Sequence, residues 1–108
     1  MIMRPWRAHA SSSKPLAYPA HFRRDVIPNL RRVTGFSGAT LLKADRGDTV
    51  EFLVLTRWTS IEAIRGFAGD DVERAVVEPD AAAALVSFDH TVRHDEVIED
   101  VSTRVGRE

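Results

Sequence analysis

Five side chains of this sequence have the types and spacings that could do chemistry together. Arg4 and Trp6 lie two apart in an extended-looking segment, and His90 and His94 lie four apart in another, alongside Phe88 and Val92. Residues at i, i+2 and i+4 of a strand share one face, so each set points one way. Trp58 ends a third extended run. If the faces match, Arg4, Trp6, Trp58, His90 and His94 line one pocket between a sheet and its helices. Its aromatic walls would hold a planar ligand, the guanidinium would steady an enolate or carboxylate, and His94 or His90 would act as base. The plainer reading makes the two tryptophans core or interface aromatics and the histidines surface strand residues.

Other candidate groups carry less. On a strand, His90 and His94 stand about 13 Å apart and cannot chelate one metal together. His9 and His21 stand alone and read as solvated residues near the first helix. Asp70, Asp71 and Glu73 match no calcium-loop spacing and suit a helix-capping box. Gly35-Phe36-Ser37-Gly38 is followed by Ala39 and a strand, which excludes a nucleophile elbow. Neither a phosphate-binding loop nor a dinucleotide fingerprint occurs. Arg46-Gly47-Asp48 spells an adhesion tripeptide but reads as a hairpin tip.

The elements that must position these residues follow from pattern. The chain of 108 residues is the size of one domain. Fifteen Lys and Arg against sixteen Asp and Glu give a net charge of −1, which argues against nucleic-acid binding. A 44% hydrophobic fraction supports a core, and 29% charged residues suit a soluble surface. The absence of cysteine excludes disulfides, thiolate metal sites and a Cys nucleophile. No apolar run reaches the roughly 20 residues of a bilayer span, and the N-terminus lacks a signal-peptide pattern. The expected location is the cytoplasm, with no membrane partner.

Residues 2–9 read as a strand in which Pro5 should force an irregularity. Tyr18, Phe22, Val26, Leu30 and Val33 form the apolar stripe of a helix that starts between Ser13 and Pro19, is disturbed at Pro28 and ends at Gly35. Residues 36–44 and 49–58 form a hairpin around Asp45-Arg46-Gly47-Asp48. Ser60 caps a second helix that buries Ile61, Ile64 and Phe67 and closes at Gly69. Asp70 and Glu73 should open a further turn through Val76, and Asp80 another over Ala81 to Leu85. A last strand is expected from Val86 to Ile98, followed by a charged tail over residues 99–108.

Strand, helix, strand, strand, helix, strand is the split βαβ order, a ferredoxin-like α+β fold with a four-stranded antiparallel sheet. Two helices cover one face only, yet the third strand is apolar on both, with Leu53 and Leu55 turned away from the helices. A homodimer through the sheet faces would bury them; otherwise they are scattered surface residues or lie under the tail.

The stretches Gly35-Phe36-Ser37-Gly38, Val50-Glu51-Phe52-Leu53-Val54-Leu55-Thr56-Arg57-Trp58 and Ser60-Ile61-Glu62-Ala63-Ile64-Arg65-Gly66-Phe67-Ala68-Gly69 resemble the antibiotic biosynthesis monooxygenase-like family. Glu73-Arg74-Ala75-Val76-Val77 and Phe88-Asp89 with His94-Asp95-Glu96-Val97 extend the similarity over residues 1–98. The resemblance implies a dimeric α+β barrel and, in the oxygenase members, oxidation of electron-rich phenols or anthrones by dioxygen without flavin or metal. Haem-degrading relatives use an Asn on the first strand, a Trp late in the second helix and a His about ten residues later. Those last two positions are Phe67 and Val77 here, and the first strand has no Asn, so haem ligation is not expected. Phe67 then joins Trp6 and Trp58 as a substrate-binding wall, with His94, His90 and Arg4 as the catalytic candidates. The expected activity is a cofactor-independent monooxygenase acting on a small aromatic or polyketide-like substrate. The alternative is a non-catalytic small-molecule-binding or sensing dimer of the same fold.

Overall fold

The computed structural model describes residues 1–103. Strand β1 is Ile2–Ser11, and a helical segment follows as α1 (Ala17–His21), a wide π-helical turn (Phe22–Val26) and α2 (Ile27–Arg31). Strands β2 (Phe36–Asp45) and β3 (Thr49–Trp58) form the hairpin. Then come α3 (Ile61–Ala68), α4 (Pro79–Ala83) and two short strands, β4 (Ser87–Phe88) and β5 (Asp95–Glu96). The antiparallel sheet runs β2-β3-β1-β4, with β5 also on β1. This is the expected ferredoxin-like α+β order. Residues 99–103 of the expected tail are exposed coil, and the rest of it lies outside the described residues.

Alternation places the core. Val50, Phe52, Val54, Thr56 and Trp58 of β3 are all buried beneath the helices, while Glu51, Leu53, Leu55 and Arg57 turn to the open face. Two clusters result. Ala10, Tyr18, Phe22, Val50, Phe52, Val54 and Ala81 form one; Leu30, Trp58 and Ile64 form the other. The indole N–H of Trp58 donates to Thr56 Oγ1 at 2.8 Å, which satisfies the polar atom of a fully buried ring.

The disturbance expected at Pro28 is the π turn. Ile27 N–H donates to Phe22 O, five residues back, and Pro28 has no N–H to continue an α-helical ladder. Ser60 caps α3 as expected, its Oγ accepting from Ala63 N–H at 3.1 Å. Gly35 holds φ +91°, and a Cβ there would clash with Ala63 Cβ; only glycine lets the β2 entrance approach α3 this closely.

Three expectations are corrected. The last strand is not continuous from Val86 to Ile98. The carbonyls of Met1, Arg7 and His9 accept from Val97, Asp89 and Val86, so odd positions of β1 face the last strand. Pro5 shares that parity and has no N–H to offer, and the strand departs opposite it. Ala8 pairs with Phe88 and Met3 with Asp95, so five steps along β1 are matched by seven. The displaced loop pairs instead with residues 73–75, through Ala75 N–H to His90 O (2.9 Å) and Val92 N–H to Glu73 O (2.7 Å). The same ladder brings the second correction, because the turn expected from Asp70 through Val76 ends early: Arg74 N–H closes it on Asp71 O at 3.1 Å, and Arg74 then bridges to Thr91. Third, the turn assigned to Asp80 starts two residues earlier, at Pro79, with Glu78 at the N-cap and no side-chain cap.

Candidate functional site

Between the two core clusters lies a cavity of about 110 Å³. Trp6 comes from β1, Tyr18, Val26 and Leu30 from the helical segment, Val54 and Thr56 from β3, and Phe67 from α3. The rim carries Asn29, Val76 and Glu78. Three aromatic rings stand among aliphatic side chains. Trp6 and Tyr18 have centroids 5.8 Å apart, and the Trp6 indole is pinned by its N–H donating to Asp89 O at 2.8 Å.

One cation enters this apolar space. Arg4 is 4% exposed, with its guanidinium 5.8 Å from the centre of the Phe67 ring. It donates to the carbonyls of Val72 and Arg74, and one Nη stands 2.8 Å from His94 Nε2. The displaced last strand supplies His94, and the segment it pairs with supplies the two carbonyls. Among the described residues no carboxylate lies within ion-pair distance of Arg4. Burial pulls its pKa down to about 10, the mark of a cation stripped of water and not compensated. Three of its five N–H groups are committed, which leaves the Nε–H and one Nη2–H for a ligand.

The other expected site residues divide. Trp6 and Phe67 line the cavity with Arg4. Trp58 is fully buried beneath it, against Phe36 and Phe67 at 5.4 and 5.5 Å, and does not line it. His94 stands behind Arg4. Its pKa is lowered, first by burial and then by the neighbouring Arg4 charge, so the neutral ring accepts the Arg4 hydrogen bond. His90 is exposed on the displaced loop, 4.9 Å from Phe88, and does not line the cavity.

His21 is not the solvated residue its sequence surroundings suggested. It is 3% exposed and sits in the cavity wall, beside Tyr18. Asp25 Oδ2 lies 3.1 Å from its Nδ1 and Glu78 Oε1 lies 3.4 Å from its Nε2, neither aligned as a hydrogen bond. Tyr18 feels the same surroundings: burial, then the Glu78 charge, push its hydroxyl pKa above the ordinary phenol range. A signal for His21 was present, since it precedes Phe22 on the buried stripe and stands four residues before Asp25. Thr56, Glu78 and Ala81 had none, because they reach the cavity only through tertiary packing.

The fold is that of the antibiotic biosynthesis monooxygenase-type structures. A proposed antibiotic biosynthesis monooxygenase from Bacillus cereus superposes with a TM-score of 0.64 at 16% identity, over 93% of this chain and 97% of that one. A point mutant of SnoaB, a cofactor-independent oxygenase from Streptomyces nogalater, gives 0.64 at 19% identity over 94% and 98%. The heme-degrader MhuD from Mycobacterium tuberculosis, with two hemes in its active site, gives 0.54 at 23% over 93% and 99%. No protein-family model matches the sequence, and no curated protein does. Among the described residues no helix is long and apolar enough to cross a membrane.

Proposed function

We propose that this chain is a cofactor-independent monooxygenase acting on a small, electron-rich phenol, and that it works as a homodimer. The observation that carries the reading is Arg4: a buried cation with no carboxylate partner and two N–H groups left over, at a largely apolar cavity. A phenol whose oxygen meets those N–H groups ionises more readily, since the cation stabilises phenolate and not phenol. Trp6, Tyr18 and Phe67 hold the ring. The phenolate carries the electrons that dioxygen needs. At a free para carbon one C–H bond is lost and one C=O bond forms, the second oxygen atom leaves as water, and the substrate supplies all four electrons. No external reductant enters the balance. In this reading His94 is a positioning residue, holding Arg4 through Nε2, and His90 takes no part.

Size supports a single ring. The cavity is somewhat smaller than the roughly 150 Å³ that takes up benzene, and far from the volume of a haem. The SnoaB neighbour supports the reaction class, because it is a cofactor-independent oxygenase. The dimer is supported by the open sheet face, where Leu42, Leu53 and Leu55 are left partly or largely exposed.

The test is oxygen uptake by chelator-treated protein, with single-ring phenols and hydroquinones beside tricyclic hydroxyanthrones. The reading expects one dioxygen consumed per quinone formed, with single rings preferred and uptake lost in Arg4→Met. Saturable binding of phenols without oxygen uptake would refute the oxygenase and leave a small-molecule-binding dimer.

A further inference from the structure

Behind the cavity wall, on the opposite side of His21, a second cleft opens between the helical segment and α4. It is lined by His21, Arg24, Asp25, Arg32, Glu78 and Asp80, among others. Ligand atoms of His21, Asp25 and Asp80 all lie within 4.8 Å of one another. His21 and Asp25 come from one helical face and Asp80 from the first turn of α4. Acidic groups gather on many protein surfaces. What distinguishes this group is its buried member: His21 is 3% exposed, and neither ring nitrogen has a hydrogen-bond partner. A buried imidazole left unsatisfied needs a physical reason.

We propose that His21, Asp25 and Asp80 form a binding site for a first-row divalent transition metal, zinc being the natural occupant. The Nδ1 edge faces Asp25 at 3.1 Å, and no hydrogen bond forms there. Two lone-pair donors turned toward a shared point are what a cation between them needs. On the other edge Glu78 Oε1 lies 3.4 Å from Nε2 without an aligned hydrogen bond. A small rotation of Glu78 would let it accept from an Nε2–H, the tautomer that leaves Nδ1 free to ligate. One imidazole and two carboxylates suit zinc and its neighbours rather than calcium, which takes oxygen only. Metal–ligand bonds near 2.1 Å require the donors to close in by on the order of 1 Å, and Asp80, being exposed, is able to rotate inward. The remaining coordination positions fall to water. Two cations oppose the site. Arg24 Nε lies 3.1 Å from Asp25 Oδ2 and must give it up, and Arg32 lines the cleft. Arg24 is mostly exposed, so its pair is a weak competitor. The three acidic groups of the cleft outnumber the two arginines.

The site shares His21 and Glu78 with the cavity but the proposed phenol step needs no metal, so binding alone tests it. The full-length protein is stripped with chelator and titrated with Zn²⁺ by calorimetry, and with Co²⁺ by its visible absorption. One equivalent per chain is expected, with the His21 ring resonances the ones displaced by Zn²⁺ and broadened by Co²⁺. Asp80→Asn, on the surface, should weaken binding by about tenfold or more while the melting temperature of the metal-free protein stays unchanged. Asp25→Asn should do the same. The proposal is overturned if Zn²⁺ does not bind at millimolar concentration. It is equally overturned if both variants bind like the parent, or if His9, His90 or His94 is the ring that responds. Oxygen uptake with or without metal bears on the oxygenase reading alone, so either can fail without the other.

Discussion

Replacing Arg4 with methionine removes a cation while nearly preserving the volume beside Phe67 and Trp6. In the parent protein two N–H groups of Arg4 remain for a ligand oxygen after the carbonyls of Val72 and Arg74 and the ring of His94 are served. A hydrogen bond between charged partners contributes about 1.5–3 kcal/mol, and Arg4 is too buried for solvent to screen it. That range corresponds to a loss of about 10- to 100-fold in affinity for a phenolate, at roughly 1.4 kcal/mol per tenfold. Neutral phenol should lose far less, because its ring contacts survive. The assay is quenching of Trp6 fluorescence by a nitrophenol, titrated at one pH below and one above the ligand's own pKa. The parent should bind the anion more tightly than the neutral form, and Arg4→Met should lose that preference. Methionine also leaves the carbonyls of Val72 and Arg74 without their donor, so melting must be followed alongside. Should the variant unfold, Arg4→Lys keeps the charge with fewer donors and should retain part of the preference. A folded Arg4→Met protein that still prefers the anion would refute the reasoning, since the anion would then owe nothing to Arg4.

Four further outcomes follow from the same structure. Because burial and the Arg4 charge lower the pKa of His94, the unfolded chain binds more protons just below pH 6.5; stability should fall as pH drops through and below that value, and His94→Gln should flatten this part of the melting-temperature profile, an unchanged profile counting against it. Trp58→Ala empties a fully buried site and should cost about 3–5 kcal/mol in urea unfolding; a loss under 1 kcal/mol would contradict the burial of this ring. Gly35→Ala should destabilise more than Gly47→Ala, since both glycines have positive φ but only Gly35 meets a neighbour, and equal losses would contradict that packing. Leu53→Asp on the open sheet face should convert dimer to monomer by light scattering, and an unchanged mass would remove that face as the interface.

Much of the fold was legible in local pattern. The hairpin of β2 and β3, the stripe from Tyr18 through Leu30 and the Ser60 cap rest on interactions a few residues apart, so type and spacing suffice to read them. The last strand was not legible in detail. Thr91 and Val92 favour extended backbone, and they do adopt it, but against residues 73–75 rather than against β1. Pro5 signalled the irregularity, yet which strand would yield depended on the direction its absent N–H faces, a matter of sheet order.

The candidate site divides along the same line. By itself, the sequence determined that Arg4 and Trp6 share a face of the first strand, because that follows from the two-residue period of a strand. It also determined that Pro5 could donate no hydrogen bond to a neighbouring strand. Tertiary structure alone decided that Arg4 would find carbonyls and His94 rather than a carboxylate, that Trp58 would be core and not cavity wall, and that His90 would be carried into solvent. It alone brought Glu78 and Asp80 to His21 across more than fifty residues of chain. Burial and partnership between distant groups are properties of packing, and no spacing in the sequence encodes them.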